Sequence, residues 1–491
     1  MKTIKKTIIL FALVAIFTTS CSEDFLRPDM PDVLEEEQSM RTAQDIQNAA
    51  IGIYSSNALT SLNFLGRNGL AIADIKGNLV TSLVGGNTFM RHMENYAYNV
   101  GMGDIGGLWQ LPYRTIDRAA RVIRGGNRLL DEGGLSARDQ GIINLSIAQA
   151  YGLKAFTHFF LVNHFALPYT YQPESLGIIL VDGEPLTVLS EVYRATVRET
   201  YALILRDIAA AKRHFEASAG AAFPANPKFF MNHAAIYALE ARVLLYMANW
   251  SGALEAAQTA LTLSGATVET NANYVAMWAT NATNTVEDIF TLNFTTTTVP
   301  AVTATPTWIW SRDVFFIGIS RTGLDLFEPT DVRRGLFLDA PTPSPYSQRT
   351  LKFPNANGVN NIPIFRASEM YLIIAEAQAE IGTDIAAAQT ALFNVARRDE
   401  AITAPTQLPN TPADLLAFIA DERGRELIQE GHRWLDLRRR GYTMTRPYAF
   451  PIGQFTDLPV WRTVLPIPQG EIGASDIEQN PNWDWIDAYR N

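Results

Sequence analysis

Over much of the chain apolar residues recur at i, i+3 and i+4, the spacing that gives a helix one buried face. Ile147–Phe165 (IAQAYGLKAFTHFFLVNHF) follows it, with helix-forming residues between the apolar positions. Glu191–Phe215 follows it too, and sets Tyr201, Ile204, Leu205 and Ile208 on one side. His233–Leu261 and Ser368–Leu392 each read as helix, short turn, helix, with turns at Asn249–Gly252 and Gly382–Asp384. Both end in AAQTAL, at Ala256–Leu261 and Ala387–Leu392, an offset of 131, whereas their opening tyrosines, Tyr237 and Tyr371, are offset by 134. Thr411-Pro412-Ala413-Asp414 supplies an N-cap, a proline at N1 and an acid at N3, so a helix is predicted from there to about Glu430.

The paired stretches look like tetratricopeptide helical hairpins, in which small residues such as Ala253, Ala256, Ala257 and Ala260 let neighbouring helices approach closely. The fold class expected is mostly α: tetratricopeptide-like hairpins as a scaffold, with long irregular, loop-rich insertions. Gly66–Gly107, rich in Gly and Asn, and Gly265–Asn361, rich in Thr, Pro, Asn and Trp, hold no long helical period. Both far exceed an ordinary connection of about 4–6 residues. Long segments on a rigid frame are where binding groups collect.

The N-terminus has its own pattern. Lys2, Lys5 and Lys6 precede the apolar run Thr7–Phe17, and Thr18-Thr19-Ser20 leads to Cys21. Eleven apolar residues are too few to span a bilayer, so the segment reads as a secretory signal; a buried helix is the alternative. The cysteine placed there resembles a bacterial lipoprotein processing site, although Thr18 stands where leucine is usual. The resemblance implies that Cys21 is lipidated and tethers the protein to a membrane. Seven acids between Ser22 and Met40, with Pro28 and Pro31, describe an extended, self-repelling leash.

The 491 residues carry a formal charge of −10, which opposes nucleic-acid binding. Cys21 is the only cysteine, so an internal disulfide, a Cys-rich zinc site and an iron–sulfur cluster are excluded. Gly101–Gly106 formally matches G-x-G-x-x-G but lacks the buried strand that a dinucleotide site needs before it. Nucleophile-elbow, H-E-x-x-H and P-loop motifs are absent. Among six histidines only His158 and His164 come near ligand spacing, and a separation of six sets them on different faces of a helix. Neither a cofactor nor a metal ion is expected. Two placed carboxylates would suffice for a glycosidase, and nothing in the pattern singles out such a pair.

Glu422–Gly441 (ERGRELIQEGHRWLDLRRRG), Phe365–Ala377 (FRASEMYLIIAEA) and Leu465–Trp483 (LPIPQGEIGASDIEQNPNW) resemble the SusD/RagB family of nutrient-binding lipoproteins of Bacteroidetes. The Ser20–Leu26 start, the series Trp109, Tyr113, Ile116, Arg121, and Tyr151–Phe165 extend the resemblance. Arg423, Arg425, Glu426, Glu430, Arg433 and Asp436 read as a structural ion-pair set around Trp434 and Leu437. The resemblance implies a surface-exposed outer-membrane lipoprotein that captures oligosaccharide, or in some members peptide. Such a protein caps a SusC-like TonB-dependent transporter as a hinged lid and performs no chemistry. It also implies a division into signal peptide (1–20), acidic tether (21–40), N-terminal helical region with binding loops (41–264), irregular aromatic- and Thr-rich region (265–361) and C-terminal helical region (362–491).

Sugars stack their C–H faces on aromatic rings and pair their hydroxyls with Asn, Asp and Arg. Asn87, Arg91, Tyr96 and Tyr98 in the first irregular segment, and Trp278, Trp308 and Trp310 in the second, are therefore the ligand-binding candidates. Core or loop packing is the alternative for each. A surface glycoside hydrolase and a protein-binding helical scaffold are the competing functions.

Overall fold

The computed structural model describes residues 39–480, apart from 56–57, 62, 66–67, 83–87, 187–189, 280–284, 296–316, 339–346, 356–358, 442–443, 447–454, 459 and 476. From Thr42 onward the described residues form one compact unit. It opens with α1 (Ala43–Ile53), α2 (Asn68–Ile75), β1 (Val80–Ser82), α3 (Thr88–Glu94), α4 (Gly103–Glu132) and α5 (Ala137–Phe165). β2 (Leu176–Ile179), β3 (Arg194–Thr196), α6 (Val197–Ala217), α7 (His233–Tyr246), α8 (Trp250–Ser264) and α9 (Asn271–Ala279) follow. Then come β4 (Asp288–Leu292), β5 (Ile317–Ser320), α10 (Arg321–Leu324), β6 (Phe337–Leu338), β7 (Ser347–Thr350) and β8 (Ile362–Arg366). The C-terminal part holds α11 (Ala367–Ile381), α12 (Ile385–Ala396), α13 (Pro412–Glu426), α14 (Arg433–Arg439), β9 (Met444–Arg446), β10 (Phe455–Leu458) and α15 (Gln469–Ser475).

The fold is mostly helical, and helix packs on helix in a continuous series: α4 on α5, α5 on α6, α7 on α8, α8 on α11, and α11 on α12 and α13. α5 is buried nearly all round from Gly141 to Phe165, polar residues such as Lys154, His158 and Asn163 included, because α1, α4 and α6 all cover it. Side-chain caps fix the starts. Thr42 and Thr196 form capping boxes with Asp45 and Glu199, and Ser136, Asn232, Asn249, Asp384 and Thr411 each accept from a backbone N–H in the first turn. The strands are short and antiparallel. β1-β5-β7-β6 form one sheet, and β2-β3, β4-β8 and β9-β10 form pairs. The β4-β8 pair joins chain on either side of residue 361. No helix among the described residues is long and apolar enough to cross a membrane.

The two hairpins are the predicted ones, but their alignment is not the one suggested by AAQTAL. The turns pass through left-handed residues at Ala248 (φ 57°) and Gly382 (φ 73°), and the second helices start after Asn249 and Asp384. Buried positions then correspond as Ala253 with Ala388, Ala256 with Ala391, Ala257 with Leu392 and Ala260 with Val395, an offset of 135. The shared hexapeptide is displaced by about one helical turn, which keeps Ala256, Ala257 and Ala260 in the first hairpin and Ala388 and Ala391 in the second on the packed face.

Three other boundaries differ from expectation. The predicted helix at Glu191 starts at Val197, because Arg194–Thr196 pairs with β2 and Thr196 takes the cap. α13 stops at Glu426 instead of about Glu430; Gln429 and Gly431 have positive φ, and the Glu430 side chain turns to Arg366 and Lys352. α4 begins at Gly103, inside the stretch read as irregular. Gly107 is there for close approach: a Cβ would sit 2.5 Å from the Asn63 amide.

The C-terminal block is tied in by buried ion pairs. Glu426 accepts from Arg366 at 2.9 Å and Arg333 at 3.2 Å, and lies 3.0 Å from Arg398 Nε. Glu287 binds Arg366 and Arg398, both at 2.5 Å, and Glu422 binds Arg333 and Arg425, both at 2.7 Å. Asp436 holds Arg423 at 2.9 Å and Arg439 at 2.8 Å. The expected ion-pair set is thus structural, but most of its partners come from outside Glu422–Gly441. Arg433 makes a longer pair, 4.0 Å to Asp421, and also donates to Asn78 Oδ1 and the Ala420 carbonyl.

Candidate functional site

Asn87, Trp308, Trp310 and Cys21 lie outside the described residues. Tyr96 and Tyr98, expected as exposed stacking platforms, instead have buried rings 6.1 Å apart. Tyr96 donates its hydroxyl to the Lys76 carbonyl (2.6 Å) and Tyr98 to the Arg462 carbonyl (2.7 Å). Between them the Lys76 ammonium sits 3.9 Å from the Trp434 ring centroid and donates to Tyr98 Oη and the Thr463 carbonyl. Burial, with Arg438 nearby, pushes the Lys76 pKa well below its ordinary value. These rings enclose the Lys76 amine and pin the end of α2 to the C-terminal block. Their faces are spent on packing.

Arg91, on α3, is half-buried, and its carbonyl accepts from the Asn95 amide at 2.8 Å. Trp278, also expected in the ligand site, is buried with Tyr274, Met277 and Leu336, under Lys352 (4.6 Å) and Arg366 (5.3 Å). The adjoining cavity, about 30 Å³ between Trp278, Thr285, Asp288 and Thr291, has room for about one water. The structure therefore does not bring Tyr96, Tyr98 and Trp278 into one open site. Among the described residues, no group of His, Cys, Asp and Glu is placed to hold a metal ion.

An open cleft of about 350 Å³ lies elsewhere, between α4 and the side chains of Ile179, Val181, Leu186 and Val192. Helical spacing puts Trp109 and Tyr113 on one side of α4, beside Gln110, Arg114 and Asp117. Trp109 is buried, edge-on to Phe165 at 4.9 Å, and its Nε1 donates to Glu471 Oε2 at 3.1 Å. The Tyr113 hydroxyl donates to the Ile179 carbonyl (2.9 Å) and accepts from the Ile179 N–H (3.0 Å), which locks the ring against the β2 edge. Burial raises the Tyr113 pKa well above its ordinary value, so this phenol stays neutral at physiological pH. Ile179, Val181, Leu186 and Val192 make the facing wall aliphatic.

The closing segment of the chain braces this cleft. Arg194 donates to the carbonyls of Gly177 (2.7 Å) and Glu478 (3.0 Å) and to Asn480 Oδ1 (2.7 Å), while Asn480 donates to the carbonyls of Phe165 and Leu465. Glu471, at the start of α15, reaches Trp109 from the same segment. The sequence reading used Trp109 and Tyr113 only as marks of a resemblance. Their i, i+4 spacing with Arg114 and Asp117 alongside was the signal for a mixed aromatic and polar face.

Two family models match the chain: "SusD family" over residues 352–483, and "Starch-binding associating with outer membrane" over residues 32–245. The chain belongs to the SusD family. SusD-like protein P2 of Formosa agariphila is 27% identical over 213 residues, which is 42% of this chain and 38% of that protein, so the match spans well under half of the relative's length. A SusD superfamily protein of Bacteroides thetaiotaomicron superposes with a TM-score of 0.79 at 24% identity, over 90% of this chain and all of the other. Surface glycan-binding protein A of Bacteroides fluxus superposes at 0.69 with 20% identity, over 90% and 98% of the two chains. At such identities the likeness establishes the SusD fold. The match over 352–483 spans Glu426, Arg439 and Glu471.

Proposed function

We propose that this SusD-family chain is an outer-membrane-associated, carbohydrate-binding lipoprotein that captures oligosaccharide and passes it, as a hinged lid, to a SusC-like TonB-dependent transporter. The observation that carries the carbohydrate reading is the match of residues 32–245 to a family described as starch-binding and outer-membrane-associated. A glycan-binding protein among the fold's solved relatives supports it. The 350 Å³ cleft, with an aromatic ring, an aliphatic wall and a polar rim, suits one ring of such a ligand. Lipidation at Cys21 would tether the lid beside its barrel and raise the effective concentration of each for the other. In this role the protein holds its cargo without breaking bonds.

The test is an array of neutral and acidic glycans together with peptides, probed with the full chain in detergent. Retention on glycans with peptides blank supports the reading. Retention on peptides alone replaces oligosaccharide with peptide as the cargo, and a blank array refutes both.

A further inference from the structure

The cavity of about 30 Å³ beside Trp278 lies where α9, β4 and β8 meet. Its lining includes Trp278 from α9, Thr285 just before β4, Asp288 and Thr291 within β4, and Pro363 and Arg366 from β8. The ladder between the two strands is irregular here. Its register shifts on both sides of Phe290, and Thr291 faces Pro363, a residue with no N–H to donate. Three buried polar atoms of the lining, Trp278 Nε1, Thr285 Oγ1 and Thr291 Oγ1, meet no hydrogen-bond partner among the described residues. Trp278 and Thr291 are themselves more than nine-tenths buried. The two hydroxyls flank the Asp288 carboxylate, yet neither meets it in hydrogen-bonding geometry. Buried groups of this kind are costly to leave unmet.

The lining selects what can fill the space. An indole N–H only donates, so its partner must accept, which neither a metal ion nor an ammonium can do. Lys352 and Arg366, 4.6 and 5.3 Å from the Trp278 ring, also oppose a cation. Their own protons are committed. Lys352 donates to the carbonyls of Glu426 (3.0 Å) and Ile428 (2.8 Å) and to the Glu430 carboxylate, and Arg366 donates to Glu287, Glu426 and Glu430. Asp288 accepts from the Thr285 N–H at 2.9 Å, and its carboxylate opposes an anion. A water molecule both accepts and donates, and the volume suits about one.

We infer that this cavity binds a single water molecule, which accepts from Trp278 Nε1 and the Thr285 hydroxyl and donates to Asp288 and Thr291 Oγ1, tying α9 to β4 where the β4–β8 ladder is broken. The site is independent of which cargo the protein carries.

Crystals of the full chain grown from detergent in sodium bromide test the assignment, together with melting of Thr291→Val. The expected density is one peak at hydrogen-bonding distance from Trp278 Nε1, Asp288 and Thr291 Oγ1, with no anomalous bromine signal. Thr291→Val keeps the shape of the side chain and removes one partner of the water, so it should melt about 1 °C lower. In a dry cavity the same change removes an unmet hydroxyl and raises the melting temperature. A bromine signal overturns water in favour of a halide. No peak overturns the site whatever the melting shows, and a peak with a higher melting temperature for the variant overturns the bracing role.

Discussion

Replacing Glu426 with glutamine removes one charge and almost no volume from the densest part of the buried ion cluster. The side chain is fully buried, its two oxygens face Arg366, Arg333 and Arg398, and the nearby acids Glu287, Glu422 and Glu430 share those same guanidiniums. Burial alone would raise the Glu426 pKa, but the charges of Arg398, Arg366 and Arg333 outweigh it and hold the carboxyl far below the ordinary range. The glutamine amide nitrogen would then face a guanidinium, donor against donor. Breaking a buried pair from one side costs about 3–5 kcal/mol when the abandoned charge stays unpaired; here Arg366, Arg333 and Arg398 each keep another acid, which places the cost toward the low end of that range. Unfolding entropy of about 2.1 cal/mol/K per residue over roughly 450 residues makes 1 kcal/mol worth about 1 °C. Calorimetric melting of Glu426→Gln should therefore fall by about 3–5 °C, toward the low end, at pH 7. Glu184→Gln, at the exposed Arg124 pair, should move by less than about 1 °C. A folded pKa depressed below the unfolded one gives stability that is present above the unfolded value, about 4.3, and lost as pH falls further. The gap between wild type and Glu426→Gln should hold from pH 7 to 5 and narrow below about pH 4. Equal melting of the two proteins at pH 7 would refute the claim that this cluster fastens the C-terminal block.

Asp74 has the opposite sign: burial raises its pKa to about 8 against backbone hydrogen bonds from Gly431 (N–H at 3.0 Å) and Gln429 and the charge of Lys352. Its contribution is full below the unfolded value and lost as pH rises toward 8, so Asp74→Asn should gain on wild type between pH 5 and 8, by up to a few kcal/mol; a deficit that grows with pH would contradict this. Gly323→Ala would place a Cβ 2.3 Å from the Leu79 carbonyl oxygen, whereas Gly52→Ala meets nothing within 4 Å. Urea midpoints should show a loss of about 1–3 kcal/mol for the first and a gain of about 0.5–1 kcal/mol for the second. Cys21→Ser should move the protein from the membrane fraction to the soluble fraction of disrupted cells; unchanged membrane recovery would reject the lipid anchor.

Helices were legible where their signal is local. The α7–α8 and α11–α12 hairpins, the Thr411 cap and the part of α5 from Ile147 to Phe165 follow from periodicity and capping chemistry within a few residues of each position, whereas the start of α5 at Ala137, ten residues earlier, does not. Expectation failed where a distant partner decides. Gly103, Gly106 and Gly107 look like breakers, yet Asn63 packs against Gly107 within a helix. Arg194–Thr196 has helical neighbours but pairs with β2. Tyr96, Tyr98 and Trp278 carry the composition of a sugar site, and only tertiary structure shows Lys76, Lys352 and Arg366 occupying their faces. The cleft was hidden for the same reason. Its helix wall is local, whereas Ile179, Val192 and Glu471 reach it from far along the chain.

Equilibrium dialysis of the full chain in detergent against a neutral oligosaccharide retained on the array, followed by chromatography of the recovered sugar, tests the central claim most directly. The account predicts that sugar accumulates on the protein side and returns at its original length. Sugar that distributes evenly, or comes back shortened, would contradict it.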